Sequence, residues 1–156
     1  MGKIVKFDFD NKELHKLAME IRVEVFVNEQ KVPQEIEWEY EEDCTHFLIY
    51  RKRKAVGTAR YRIVDDVIKF ERFAFLKVAR GKGLGRDIMR YMLNDVRPLK
   101  KRIMLNSQEY AVDFYKQAGF IICGSKFMEG GIPHYPMEYE APDILEKALG
   151  LAVCRR

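Results

Sequence analysis

The chain's apolar positions fall into stretches with two different periods. Ile4-Val5-Lys6-Phe7-Asp8-Phe9 partly alternates, as a strand with one buried face requires. Asp10 and Glu13 then have the spacing of a helix-capping box. Leu14, Leu17, Ala18, Ile21 and Val25 recur at helical spacing, which predicts a helix over about 11–28 with Pro33 beyond its end. Phe47–Tyr50 and Val56–Val64 read as strands joined by a turn at Arg51-Lys52-Arg53-Lys54. Asp65-Asp66 is a second turn, and a long strand follows over Val67–Leu76. A glycine-rich stretch leads into a helix whose buried side carries Leu84, Ile88, Met89, Met92, Leu93 and Val96, closed by Pro98. A short strand at Ile103–Asn106, a helix over about 109–117 ending at Gly119, and strands at Phe120–Gly124 and Tyr135–Tyr139 complete the pattern. Glu129–His134 reads as a loop between those last two strands. Ile144, Leu145, Ala148 and Leu149 predict a short docked helix in the tail.

This order of strands and helices predicts an α/β domain with one mixed sheet. At 156 residues, 47% apolar and 33% charged, the chain is neither disordered nor fibrous and can bury a sizeable core. No apolar run approaches the roughly 20 residues of a membrane span. The N-terminus has no signal-like apolar stretch, and Lys6 stands where a myristoylation signal needs Ser or Thr. Cys44, Cys123 and Cys154 are odd in number and widely spaced, which points to free thiols and a cytoplasmic protein. No metal is expected, since Cys44-x-His46 is too small for a zinc site and Cys123, Cys154 and His15 lie at no ligand spacing.

Charge adds one property of the whole chain and two local features. The net charge of +4 is too small to imply nucleic acid. The run Glu35, Glu37, Glu39, Glu41, Glu42, Asp43 around Trp38 and Tyr40 is either a solvated loop or an acidic rim attracting a cationic acceptor. The cluster Arg51–Lys54 is either a solvated turn or a phosphate contact.

The strongest chemical signal is Arg80-Gly81-Lys82-Gly83-Leu84-Gly85-Arg86, between a strand and an amphipathic helix. A helix start exposes unpaired N–H groups and partial positive charge. Glycines let that backbone approach an anion, and flanking cations add formal charge, so the segment reads as a phosphate cradle, against the alternative of a glycine turn that merely permits packing. The Walker A pattern fails because Gly83 follows Lys82; the dinucleotide fingerprint fails at Arg86 or Ile88.

Arg-Gly-x-Gly-x-Gly after Glu71-Arg72-Phe73-Ala74-Phe75 resembles the pyrophosphate loop of the Gcn5-related N-acetyltransferases (GNAT). Ile103–Phe120, with Asn106 ending a strand and Phe114-Tyr115 before Gly119-Phe120, resembles their second cofactor motif. Ile21–Gln30, Asp43–His46 and Gly131–Met137 resemble the ElaA-like branch, so the likeness covers most of residues 1–140. Lys77 replaces a proline usual in the family, and the tail 141–156 carries no resemblance.

The resemblance implies a GNAT-like fold, with a mostly antiparallel sheet splayed at the cofactor site and helices on both faces. It implies acetyl-CoA as cosubstrate and direct attack by a primary amine of a small molecule or peptide; the modest charge and the lack of a long apolar run lead us to expect no nucleic-acid or membrane partner. It allows a homodimer. Its pattern assigns the cofactor to the backbone of Phe73, Ala74 and Phe75, to Arg80, Gly81, Lys82, Gly83, Leu84, Gly85 and Arg86, and to Asn106. The N–H of Phe75 is expected to hold the acetyl oxygen, and Tyr115 to protonate the leaving thiolate. Strand alternation puts Glu71, Phe73 and Phe75 on one face, with Glu71 either the base that the resemblance implies or a member of a cross-strand ion pair; His134 could serve as the base instead. Arg22, Glu29, Gln30, His46 and His134 are substrate-pocket candidates or structural ion pairs and caps. The alternative function is a sensor that binds acetyl-CoA or CoA without catalysis.

Overall fold

The computed structural model describes residues 2–34 and 38–140. Eight strands form one sheet: β1 (Lys3–Asp8), β2 (Thr45–Arg51), β3 (Lys54–Val64), β4 (Val67–Phe75), β5 (Arg102–Gln108), β6 (Phe120–Ile122), β7 (Phe127–Glu129) and β8 (Ile132–Tyr139). Their order is β1-β2-β3-β4-β5-β8-β6, with β7 also paired to β8. Among these pairings only β4 with β5 is parallel, because the helix between them carries the chain back across the sheet.

The helices are α1 (Lys12–Arg22), α2 (Leu84–Val96) and α3 (Val112–Gln117). The cap of α1 is Asn11, one residue later than expected: its side-chain oxygen accepts from the Leu14 N–H at 3.2 Å. The helix predicted to reach residue 28 is regular only to Arg22. From Val23 to Glu29 the chain widens into π-helical turns, and the Gln30 N–H donates to the Val25 carbonyl at 3.1 Å. This change of period turns Glu29 and Gln30 toward the rest of the molecule.

Three hairpins close through two-residue turns with both residues left-handed: Lys52-Arg53, Asp65-Asp66 and Gly130-Gly131. Their twist matches that of the flanking strands. The third corrects the expected loop over 129–134, which instead contains the turn and the start of β8. The sheet carries an apolar layer on each face. One joins Phe47, Phe70, Ile88, Met92, Tyr115 and Phe120 under α2 and α3; the other joins Phe7, Ala18, Ile21, Phe26, Leu48 and Ala74 under α1. Helices on both faces of a largely antiparallel sheet are the predicted class. The expected tail helix lies outside the described residues. No helix among the described residues is long and apolar enough to cross a membrane.

Candidate active site

The site begins where the sheet comes apart. β4 and β5 pair from Val67/Arg102 to Phe70/Leu105, and no further. Beyond that point β5 stays with β8, from Met104/Glu138 to Gln108/His134. The stretch of β4 from Glu71 to Phe75 therefore has one edge without a strand partner. A β-bulge sits there: Arg60 pairs with Glu71 and Thr58 with Ala74, so two residues of β4, Arg72 and Phe73, oppose one residue of β3. Arg72 adopts φ 61°, a left-handed conformation uncommon outside glycine.

The bulge corrects the expected alternation. Phe73 packs on Phe70 at 6.3 Å and on Tyr115 at 5.7 Å between ring centroids, so it shares the α3 face with Phe70. Glu71 points to the opposite side, where its Oε1 lies 3.0 Å from Arg62 Nε and 3.2 Å from Arg60 Nη2. Glu71 and Phe73 do not share a face, because the extra residue shifts the pleat by one.

Two cavities meet at the split. The first, about 480 Å³, is bordered by Glu71, Asn106 and His134 among others. The second, about 940 Å³, is bordered by Arg80, Gly81, Gly83, Leu84, Gly85 and Arg86. Phe73, Tyr110, Ala111 and Tyr115 line both. Asn106 borders only the first cavity, and Phe75 only the second.

At the second cavity, Gly81 and Gly83 have φ of 75° and 79°, and a Cβ at either would project into open space. Gly83 is the N-cap of α2, whose first turns carry Arg86 and Arg90 one turn apart. Arg90 and Arg97 also border this cavity. Sequence reasoning stopped at Arg86, although the four-residue spacing of Arg90 was the signal that would have extended it. Gly85 serves packing, since a Cβ there would lie 3.1 Å from the Phe114 ring. Arg80, at the border of this cavity, already has protein partners: its Nε donates to the Phe75 carbonyl at 2.9 Å and its Nη2 to Glu29 at 2.8 Å.

Tyr115 is buried among Phe73, Phe114 and Phe120. That burial pushes its hydroxyl above the usual phenol range, so it stays protonated at neutral pH. His134 is a buried strand residue stacked on Phe127, not a loop residue. Its Nδ1 lies 2.7 Å from the Ile132 carbonyl, which can only accept. Nδ1 therefore carries the hydrogen, and Nε2 keeps a lone pair when the ring is neutral.

Arg22 and His46 border neither cavity; they belong to an ion network under α1. Glu41 is its hub. Its Oε1 meets Arg22 Nη1 at 2.6 Å and His15 Nε2 at 2.8 Å, and its Oε2 meets Arg60. His46 Nε2 lies 3.1 Å from the Glu41 carbonyl. Arg60 is 1% exposed, and burial pushes its pKa down to about 9, with the charge of Arg72 adding to the effect. His15, Glu41 and His46 are close enough to suggest a metal site. Both histidines, however, direct N–H donors at Glu41 oxygens, and guanidinium groups take both carboxylate oxygens. The cluster is a hydrogen-bonded ion network. It also draws Glu41 out of the acidic rim, and Glu35 and Glu37 lie outside the described residues. Gln30 and Gln108 exchange amide hydrogen bonds of 3.2 and 2.7 Å, tying the end of the π-helical segment to β5 beside Tyr110.

A family profile described as an acetyltransferase (GNAT) domain matches residues 9–141. An uncharacterized N-acetyltransferase of Bacillus subtilis, YjcF, is 39% identical over 130 residues, covering 81% of this chain and 93% of its own. An acyl-CoA N-acyltransferase from Pseudomonas aeruginosa superposes with a TM-score of 0.79 at 25% identity, over 90% of this chain and all of its own. Escherichia coli ElaA gives the same figures: TM-score 0.79, 25% identity, 90% of this chain and 100% of its own.

Proposed function

This chain belongs to the GNAT acetyltransferase family, and from that premise we propose that it moves the acetyl group of acetyl-CoA to the primary amine of a small molecule or peptide by direct attack. One observation carries the reading: Phe73 and Tyr115 wall both cavities at the point where β4 leaves β5. A thioester entering from the glycine loop and an amine entering from the other side meet there.

The diphosphate of acetyl-CoA fits the N–H groups around Gly81–Arg86 at the start of α2, with Arg86, Arg90 and Arg97 supplying charge. The pantetheine arm lies along the unpaired edge of β4 and pairs with its backbone as an added strand would. Of Phe73, Ala74 and Phe75, only Phe73 borders both cavities, and the bulge leaves it without a register partner on β3. Its N–H, rather than that of Phe75, is the donor assigned to the developing oxyanion.

When the tetrahedral intermediate collapses, the C–S bond breaks and Tyr115 gives its proton to the departing thiolate. The amine's own proton leaves toward the wall carrying His134 and Glu71. His134 Nε2 offers a lone pair there, with Glu129 Oε2 3.7 Å away to steady the ring once it takes a proton, whereas the Oε1 of Glu71 is engaged by two guanidinium groups. Glu71 then positions Arg62 and lines the cavity. The unpaired thiols of Cys44 and Cys123 fit a reducing, cytoplasmic setting.

The test is calorimetry with CoA, followed by thiol release across an amine panel. A well-folded preparation that binds no CoA removes the assignment.

A further inference from the structure

Resting on the acetyltransferase reading, we propose that the acceptor is a small α-amino acid-type zwitterion whose carboxylate is held by Arg62. Among the described residues, the first cavity is not the acidic basin that a polycation would need. Glu41 is turned inward onto Arg22 and Arg60, and Glu71 is covered by Arg60 and Arg62. The cations Arg62, Lys69 and Arg72 border the cavity together with Glu39, Glu71 and Glu129. That wall of mixed sign suits a ligand carrying both charges.

Arg62 is the group prepared to take the carboxylate. Its guanidinium carbon lies 3.9 Å over the Tyr40 ring, and its Nε is tied to Glu71 at 3.0 Å. Stacking and this one hydrogen bond fix the plane of the fork. The terminal nitrogens have no hydrogen-bond partner among the described residues, and the side chain is 15% exposed. A fixed guanidinium with its outer edge open to a cavity is the geometry of bidentate carboxylate recognition. A volume of about 480 Å³ suits a single small molecule. With its carboxylate on Arg62, such an acceptor presents its amine within the cavity walled by Phe73, Tyr115 and His134.

Thiol release is measured with acetyl-CoA and three groups of acceptors: the α-amino acids, their α-carboxamides, and spermidine. The expected result is a kcat/KM for the best acid roughly 10–100-fold above that for its amide, the range for a charge-assisted hydrogen-bond pair. In Arg62→Gln, KM for that acid rises by a similar factor, while KM for the amide and for acetyl-CoA stays within about twofold. Arg62→Lys, which keeps the charge and loses the fork, falls between the two. If Arg62→Gln fails to fold, the acid-to-amide ratio of the unaltered chain decides alone. Equal use of acids and amides, turnover confined to spermidine, or an equal loss on acid and amide in Arg62→Gln overturns this inference and leaves the acetyltransferase standing. Bound acetyl-CoA with no transfer to any amine overturns both.

Discussion

In the proposed mechanism the chemistry rests most directly on Tyr115, and the Glu41 network is where pH bears most directly on stability. Tyr115→Phe removes a proton and leaves the packing against Phe73, Phe114 and Phe120 in place. Turnover should fall about 10²-fold while calorimetric affinity for acetyl-CoA stays nearly unchanged; unaltered turnover would strike Tyr115 from the acid role. In the network, burial lowers the pKa of His46 to about 3, and that of His15 is also lowered by burial. The unfolded chain then binds protons that the folded chain refuses. Stability is therefore complete above the ordinary histidine range and is lost as pH falls from about 6.5 toward 3. Urea midpoints between pH 7 and pH 4 should fall steadily, and His46→Gln should flatten that slope. Tyr115 stood out in the sequence because Phe114-Tyr115 before Gly119-Phe120 forms a motif over a few consecutive residues. Arg22 and His46 stood out there too, but their partner did not. Glu41 looked like one more residue of an acidic run, and only α1, β2 and β3 together show it buried between two arginines.

At the scale of elements, the split sheet needs glycine at two places for different reasons. Gly83 holds a left-handed N-cap beside open space, so Gly83→Val strains the backbone and fills the phosphate cradle. CoA affinity should drop below calorimetric detection while far-UV circular dichroism stays native. Gly57 on β3 lies under Phe75: an added Cβ would come within 2.4 Å of that ring. Gly57→Ala must therefore displace the Phe75 ring, which borders the second cavity, or the strand that carries it. We expect a kcat/KM for acetyl-CoA lower by about 10²-fold, the scale of an ångström's misplacement, with smaller losses for substitutions at Gly131, whose hairpin borders the other cavity. Strand and helix existence was readable because the two periods differ so clearly. The bulge at Arg72 was not, since no glycine or proline marks it; a single left-handed arginine shifts the pleat by one. The β7–β8 hairpin was missed for the opposite reason: Gly130-Gly131 signalled a turn, but three-residue β7 is too short to display alternation.

For the whole molecule, two apolar layers hold the sheet on both faces while one edge of β4 stands without a strand partner. A ligand that adds backbone pairing there joins the fold. CoA at about 100 times its dissociation constant should add about 2.7 kcal/mol and raise the melting temperature by roughly 5–10 °C. A scan showing no shift would argue that the groove is not its site. The contact between Arg80, the Phe75 carbonyl and Glu29 bears on how such a ligand arrives and leaves. On the proposed binding mode, a phosphate reaching Arg80 would not meet a bare cation; it would trade places with the carboxylate of Glu29 already at hand. On departure of the spent thiol that carboxylate would take the guanidinium back, so product release would have a ready replacement waiting at the door.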